Sequence, residues 1–180
     1  MQFKKIAFLT FFITIFFTAC GSDSSKNDKK IEIAEIKDFK LTTTEAQTLN
    51  VTKTEDGFIF QEYKDKAVLV NFFATWCHPC IAEIPNFIHL KDKYKDDFEI
   101  VSVLLENNKP NNQLKEFISE YHINYVVTNS KQNMTFADII GKVETIPTLY
   151  LYNKQGKLIQ KYNGIVPEEM LDIDIKRAIR

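Results

Sequence analysis

Cys77 and Cys80 are the residues whose type and spacing point to chemistry. They stand in Trp76-Cys77-His78-Pro79-Cys80, and the only other cysteine in the 180 residues is Cys20. A disulfide across so short a loop adds little stability, because the entropic gain grows with loop length. A local pair is therefore better explained by redox chemistry than by folding. A cysteine at the start of a helix meets the positive end of the helix dipole and its free N–H groups. Both favour thiolate over thiol, which activates the first sulfur and leaves the second, one turn on, less ionised. Cys77 is thus expected at the helix cap, exposed and nucleophilic, with Cys80 buried behind it. His78 has two readings: a charge that stabilises the neighbouring thiolate, or a solvated spacer. Pro79 suits a first turn that needs no donor there. A zinc site would need two further ligands, and the chain has only His78, His89 and His122, the first of them between the cysteines. His89 and His122 read as ordinary surface or structural residues, and no metal is expected.

Such a pair needs a strand to end just before it and a helix to start at it. Ala67 to Phe73 is an apolar run broken only by Asn71, the pattern of a strand buried on both faces. Pro79 to about Tyr94 reads as a helix, with Pro85 inside it as a kink. Phe39 to Thr43, Thr48 to Lys53 and Phe58 to Gln61 are strand candidates, with Asp56-Gly57 as a turn. Phe98 to Leu105 is a further apolar strand. Leu114, Phe117, Ile118 and Tyr121 mark an amphipathic helix. A short strand, Tyr125 to Thr128, and a short helix, Met134 to Ile140, stopped by Gly141, come next. Thr148 to Tyr152 and Lys157 to Tyr162 flank a hairpin turn. A last helix begins at Pro167, acidic at its start and basic at its end. This order implies an α/β fold with a central mixed sheet flanked by helices and an N-terminal β-hairpin extension.

The first nineteen residues read as an export signal. Lys4 and Lys5 precede an apolar stretch, Ile6 to Phe17, too short and wrongly flanked to span a membrane. Thr18-Ala19-Cys20-Gly21 resembles the lipobox of bacterial lipoproteins, where the cysteine is lipidated and becomes the mature N-terminus; Phe17 departs from the usual Leu. The other reading is an uncleaved anchor. Residues 20–38 form the tether: Gly21 to Lys30 is polar with nothing to bury, and ten such residues span about 17–19 Å. Ile31 to Ile36 fits an edge strand or a loop. The folded domain is expected over 39–180, with 44% apolar and 26% charged residues in the whole chain. A formal net charge of −1 gives no support for nucleic-acid binding.

Asn71-Phe72-Phe73-Ala74-Thr75-Trp76-Cys77-His78-Pro79-Cys80, followed by Glu83-Ile84-Pro85, resembles the thioredoxin-like lipoproteins and anchored proteins of the TlpA/ResA group. Thr145-Ile146-Pro147-Thr148 is similar to that group's second mark, and the likeness runs from about Phe39 to the C-terminus. It implies a thioredoxin-like fold, with Pro147 cis beside the cysteines and Ile146 offering its backbone to a substrate strand; the other reading of Pro147 is a trans proline at a strand start. Trp76 would form a flat contact surface beside the sulfur, or simply pack. Thioredoxins proper carry a buried Asp where this chain has Asn71, so the acid–base role at Cys80 would fall to Glu83; its other reading is a solvated helix residue. Glu144 and Thr145 stand where the family usually has Gly, and their bulk would reshape the groove.

The resemblance further implies a thiol–disulfide oxidoreductase whose only redox centre is the Cys77–Cys80 pair, with no separate cofactor. Its partners would be a disulfide of an exported protein, such as apocytochrome c, and a membrane electron donor of the DsbD/CcdA type. The protein would be a monomer in the bacterial periplasm, held by lipid on Cys20 to the inner or outer membrane. Direction rests on opposing signs: His78 favours the oxidising side, whereas Ile146 and the group favour reduction, so a reductase of exported-protein disulfides is expected, with an oxidising exchange protein as the alternative. Potentials of such pairs range from about −270 mV to about −120 mV. Two other classes compete: a copper-binding chaperone using Cys77, Cys80 and a His as soft ligands, and a peroxiredoxin-type peroxidase, whose cysteine has a different local pattern.

Overall fold

The computed structural model describes residues 38–180. The export signal, Cys20, the tether and the Ile31–Ile36 segment lie outside the described residues.

Two sheets make up the frame. The first is an antiparallel meander of β1 (Asp38–Thr42), β2 (Thr48–Lys53) and β3 (Phe58–Phe60). The expected N-terminal hairpin is therefore present, with β3 as a third strand. A short 3-10 turn over Gln61–Tyr63 leads into the main sheet. That sheet takes β4 (Ala67–Phe73), β5 (Phe98–Leu104), β6 (Val126–Thr128), β7 (Thr148–Tyr152) and β8 (Leu158–Asn163) in the order β6-β5-β4-β7-β8. β4, β5 and β6 run parallel, and β7 and β8 run antiparallel to their neighbours. The helices are α1 (His78–Lys93), α2 (Asn111–Glu120), α3 (Asn133–Gly141) and α4 (Glu168–Ala178). This is the mixed sheet flanked by helices that the element order implies, and the thioredoxin-like fold that the resemblance implies.

Every residue of β4 and β5 is buried, as a strand covered on both faces requires. Alternation sorts their side chains into two cores. Ala67, Leu69, Phe73, Phe98, Ile100 and Leu104 face α1, α2 and α4. Val68, Val70, Phe72, Val101 and Val103 face α3 and the N-terminal meander. The meander is fastened to both edges of the main sheet through bridges Thr43–Thr128 and Gly57–Lys157.

Element ends differ in small ways from the sequence pattern. α3 ends at Gly141, as expected, where φ is 145°, a conformation that glycine takes readily; Lys142 follows as a left-handed cap at φ 53°, and its N–H donates back to Asp138 O. Pro85 sits inside α1, which continues through it to Lys93. β8 starts at Leu158, after Asn153 has used its side chain to accept the N–H groups of Gln155 and Lys157.

Candidate active site

β4 delivers the chain to the cysteines. Asn71 is its one polar residue, on the α1 side of the sheet, donating Nδ2 to Ser102 Oγ at 3.1 Å. Beyond Phe73 a turn closes, with Cys77 N–H donating to Ala74 O at 3.1 Å. Cys77 then caps α1. Its backbone is extended (φ −81°, ψ 96°), its carbonyl accepts from Ile81 N–H at 3.0 Å, and its sulfur accepts from Cys80 N–H at 3.3 Å. Pro79 needs no hydrogen bond in this first turn.

Cys77 and Cys80 are joined as a disulfide, with Cα atoms 5.3 Å apart. The expectation of an exposed Cys77 is corrected here. Cys77 is 4% exposed and Cys80 3%. Cys77 belongs to the apolar core that also holds Ile84, Phe87 and Leu90 of α1. Trp76 and His78 are the exposed neighbours, Trp76 at 66%.

Pro147 comes to the site through the sheet. Thr148 pairs with Phe72, so Pro147 lies level with the end of β4, where the turn to Cys77 begins. The Ile146–Pro147 peptide is cis. Pro147 O accepts from Gly164 N–H at 2.8 Å, and Thr145 O accepts from the Thr148 hydroxyl at 2.7 Å. Ile146 is half-buried and packs against both cores, and Glu144 and Thr145 are exposed on its approach.

Glu83 is not a solvated helix residue. It is 1% exposed, one turn beyond Cys80 on the buried face of α1. Its Oε1 accepts from Val166 N–H at 2.9 Å, while Oε2 is buried without a hydrogen-bond partner. Burial lifts the carboxyl to about 7, and the Val166 hydrogen bond pulls it back part of the way. A carboxyl poised near neutral pH can both take and return a proton. Asn71 Oδ1 is likewise buried without a partner.

His89 and His122 are both exposed and stand apart from this cluster; His89 Nδ1 pairs with Glu168 Oε1 at 2.6 Å. Among the described residues, no group of three or more His, Cys, Asp or Glu side chains is placed to hold a metal. Sequence reasoning missed Val166, whose N–H comes from 83 positions away, and the pair Glu106 and Lys109, which hold Thr75. The one available signal for Glu106 was an acid just past the end of a buried parallel strand, where such sheets place their ligands.

The comparisons with known proteins agree with this geometry. The redoxin family model matches residues 34–178. Thiol-disulfide oxidoreductase ResA of Bacillus cereus is 29% identical over 180 residues, covering 98% of this chain and 95% of the relative. The ResA protein of Bacillus thuringiensis is 30% identical over 154 residues, covering 83% and 80%. Among solved structures, a thiol:disulfide interchange protein of the thioredoxin family from Chlorobium tepidum aligns with a TM-score of 0.64 at 24% identity, covering 79% of this chain and 94% of its own. An exposed lipoprotein thioredoxin from Streptococcus pneumoniae aligns at 0.63 and 22%, covering 78% and 98%. With a bonded cysteine pair at the cap of α1 and relatives of this kind along nearly its whole length, the chain belongs to the redoxin family and is a thiol–disulfide oxidoreductase of the ResA type.

Proposed function

We propose that this protein reduces disulfides of exported proteins from a lipid tether outside the bacterial cytoplasm, apocytochrome c being one substrate. The observation that carries the reading is Glu83: a buried carboxyl one turn from Cys80, lifted to about 7, suits a group that must take the Cys80 proton near neutral pH. The Cys77 thiolate attacks a substrate disulfide, forming a mixed disulfide and releasing one substrate thiolate. Cys80 loses its proton to Glu83 and attacks Cys77, which frees the second substrate thiolate and closes Cys77–Cys80. Two electrons have then passed to the substrate. A membrane donor of the DsbD/CcdA type returns them, and lipid on Cys20 keeps the domain within reach of that donor. Ile146, beside Pro147, offers backbone groups to the substrate strand, and Trp76 an apolar face. The protein works as a monomer. The Streptococcus pneumoniae neighbour is an exposed lipoprotein thioredoxin, which is compatible with a tether of this kind.

The test is a Cys80→Ser variant expressed in cells. It lacks the resolving thiol, so substrate stays linked through Cys77 and is released by dithiothreitol for identification. Capture of apocytochrome c supports the reading, and capture of no exported protein counts against it. Cys20→Ala checks the tether, with the domain expected to leave the membrane fraction. Equilibration with glutathione checks direction: a potential near the −120 mV of strong oxidants would reverse it.

A further inference from the structure

Thr75 is the residue between the end of the buried turn and the exposed Trp76, and its polar atoms are claimed by one distant loop. Its N–H and its hydroxyl both donate to Glu106 Oε1, the hydroxyl at 2.6 Å. Lys109 Nζ donates to the same hydroxyl oxygen at 2.9 Å and lies 3.5 Å from Glu106 Oε2. Both charged side chains are largely covered, at 13% and 21% exposure. The loop that bears them is itself fixed. Leu105 N–H donates to Phe73 O at 2.8 Å, and Asn129 Nδ2 donates to Lys109 O at 3.0 Å. Asn111, just after it, donates Nδ2 to Thr44 O at 2.8 Å. None of these groups takes part in the exchange steps above.

We propose that Glu106 is a positioning residue for thiol–disulfide exchange and that Lys109 is its counter-charge. The carboxylate holds the Thr75–Trp76 turn so that Cys77 is presented at the cap of α1. Its negative charge opposes the Cys77 thiolate, and Lys109 offsets that opposition. Thr75 and Cys77 are two residues apart, so their Cα atoms are at most about 7 Å apart. The carboxylate therefore lies on the order of 10 Å from the sulfur, about one Debye length at ordinary salt. Removing either charge leaves the other unbalanced at that distance, and the two removals must act with opposite sign. The inference rests on Cys77 being the attacking sulfur.

The experiment follows the pH dependence of iodoacetamide alkylation in the reduced protein, with the modified cysteine mapped by mass. Glu106→Gln keeps an acceptor for both Thr75 donors but loses the charge; Cys77 should titrate about 0.3–1 pH unit lower. Lys109→Met should move it up by a similar amount. Glu106→Ala loses the acceptor as well, and its reaction with oxidised glutathione at pH 9 should run at least about fivefold below that of Glu106→Gln, since full ionisation at that pH leaves geometry as the difference. Unmoved titration in Glu106→Gln and Lys109→Met, or movement in the same direction, overturns the charge assignment. Equal exchange in Glu106→Ala and Glu106→Gln overturns the positioning role. If Glu106→Ala does not fold, Glu106→Gln and Lys109→Met still decide the charge, and Thr75→Val, which lacks the hydroxyl donor, decides the positioning by the same exchange rate. Mapping of the low-pH alkylation to Cys80 would instead sink the reading of Cys77 as nucleophile.

Discussion

Glu83, proposed above as the base for Cys80, also ties the stability of the oxidised protein to pH. The carboxyl has an ordinary value near 4.5 and is lifted to about 7 in the fold, first by burial. The folded state therefore holds the proton more tightly than the unfolded chain. Below pH 4.5 both states are protonated and the folded protein carries no penalty from this group. Between 4.5 and 7 the unfolded chain ionises first, so stability falls as pH rises. Above 7 the loss is complete, at about 3 kcal/mol. Glu83→Gln keeps an acceptor for Val166 N–H and cannot ionise. It should match the parent at pH 4 and exceed it by up to about 3 kcal/mol at pH 8 in urea unfolding of the oxidised protein. Equal stability at pH 8 would mean that Glu83 is not desolvated. The same substitution should slow release of a mixed disulfide at Cys77 by about tenfold to a hundredfold near neutral pH, since general-base assistance is lost; stopped-flow measurement of release checks this. The proposed role in function and a cost to stability thus meet in one side chain.

The elements that hold the site carry their own stresses and tolerances. Lys142 closes α3 in the left-handed region, where a side chain with Cβ is disfavoured. Its ion pair with Glu144 is 3.3 Å long, but both side chains are exposed, so it offers little in return. Lys142→Gly should raise stability by about 0.5–1 kcal/mol, read as an upward shift in thermal midpoint. Gly57 is the opposite case. A Cβ there would stand 2.3 Å from Gly156 O and 2.9 Å from the Tyr152 ring. Gly57→Ala should cost about 2 kcal/mol or more in denaturant titration, because it forces the meander away from Tyr152 of β7 and the turn that follows it. These two positions show what the sequence could carry. A glycine near a helix end and an Asp-Gly pair were legible as punctuation, and so were the strand–Cys–helix passage and the Ile146-Pro147 mark. Which residue takes the left-handed cap depends on how the helix meets the sheet, and no local pattern encodes that. The contacts of Glu83 with Val166 and of Thr75 with Glu106 join positions 83 and 31 residues apart. They follow from strand order, so they became visible only once β4 was placed between β5 and β7.

At the scale of the whole domain, the central sheet divides the chemistry from much of the stability. The cysteines, Glu83 and the helices α1, α2 and α4 belong to the core on one face. On the other face Phe136, from α3, is fully buried among Phe39, Phe58, Phe60 and Phe72, with ring centroids 5.5–6.3 Å away. These rings come from β1, β3 and β4, so one side chain ties the meander to the sheet. Phe136→Ala should destabilise the protein by about 3–5 kcal/mol, since removing a buried ring costs both its transfer energy and a cavity. Its effect on the reduced protein should stop there. β4 and β5 are close-packed from both sides, and the contacts that present Cys77 come from Ala74, Thr75 and the first turn of α1. Below its unfolding transition, Phe136→Ala should therefore show the parent's pH profile for Cys77 alkylation, alongside a markedly lower urea midpoint. A shift in that profile would mean that the sheet transmits strain from the meander to the redox face, so that the N-terminal extension is part of the catalytic apparatus and not only its support.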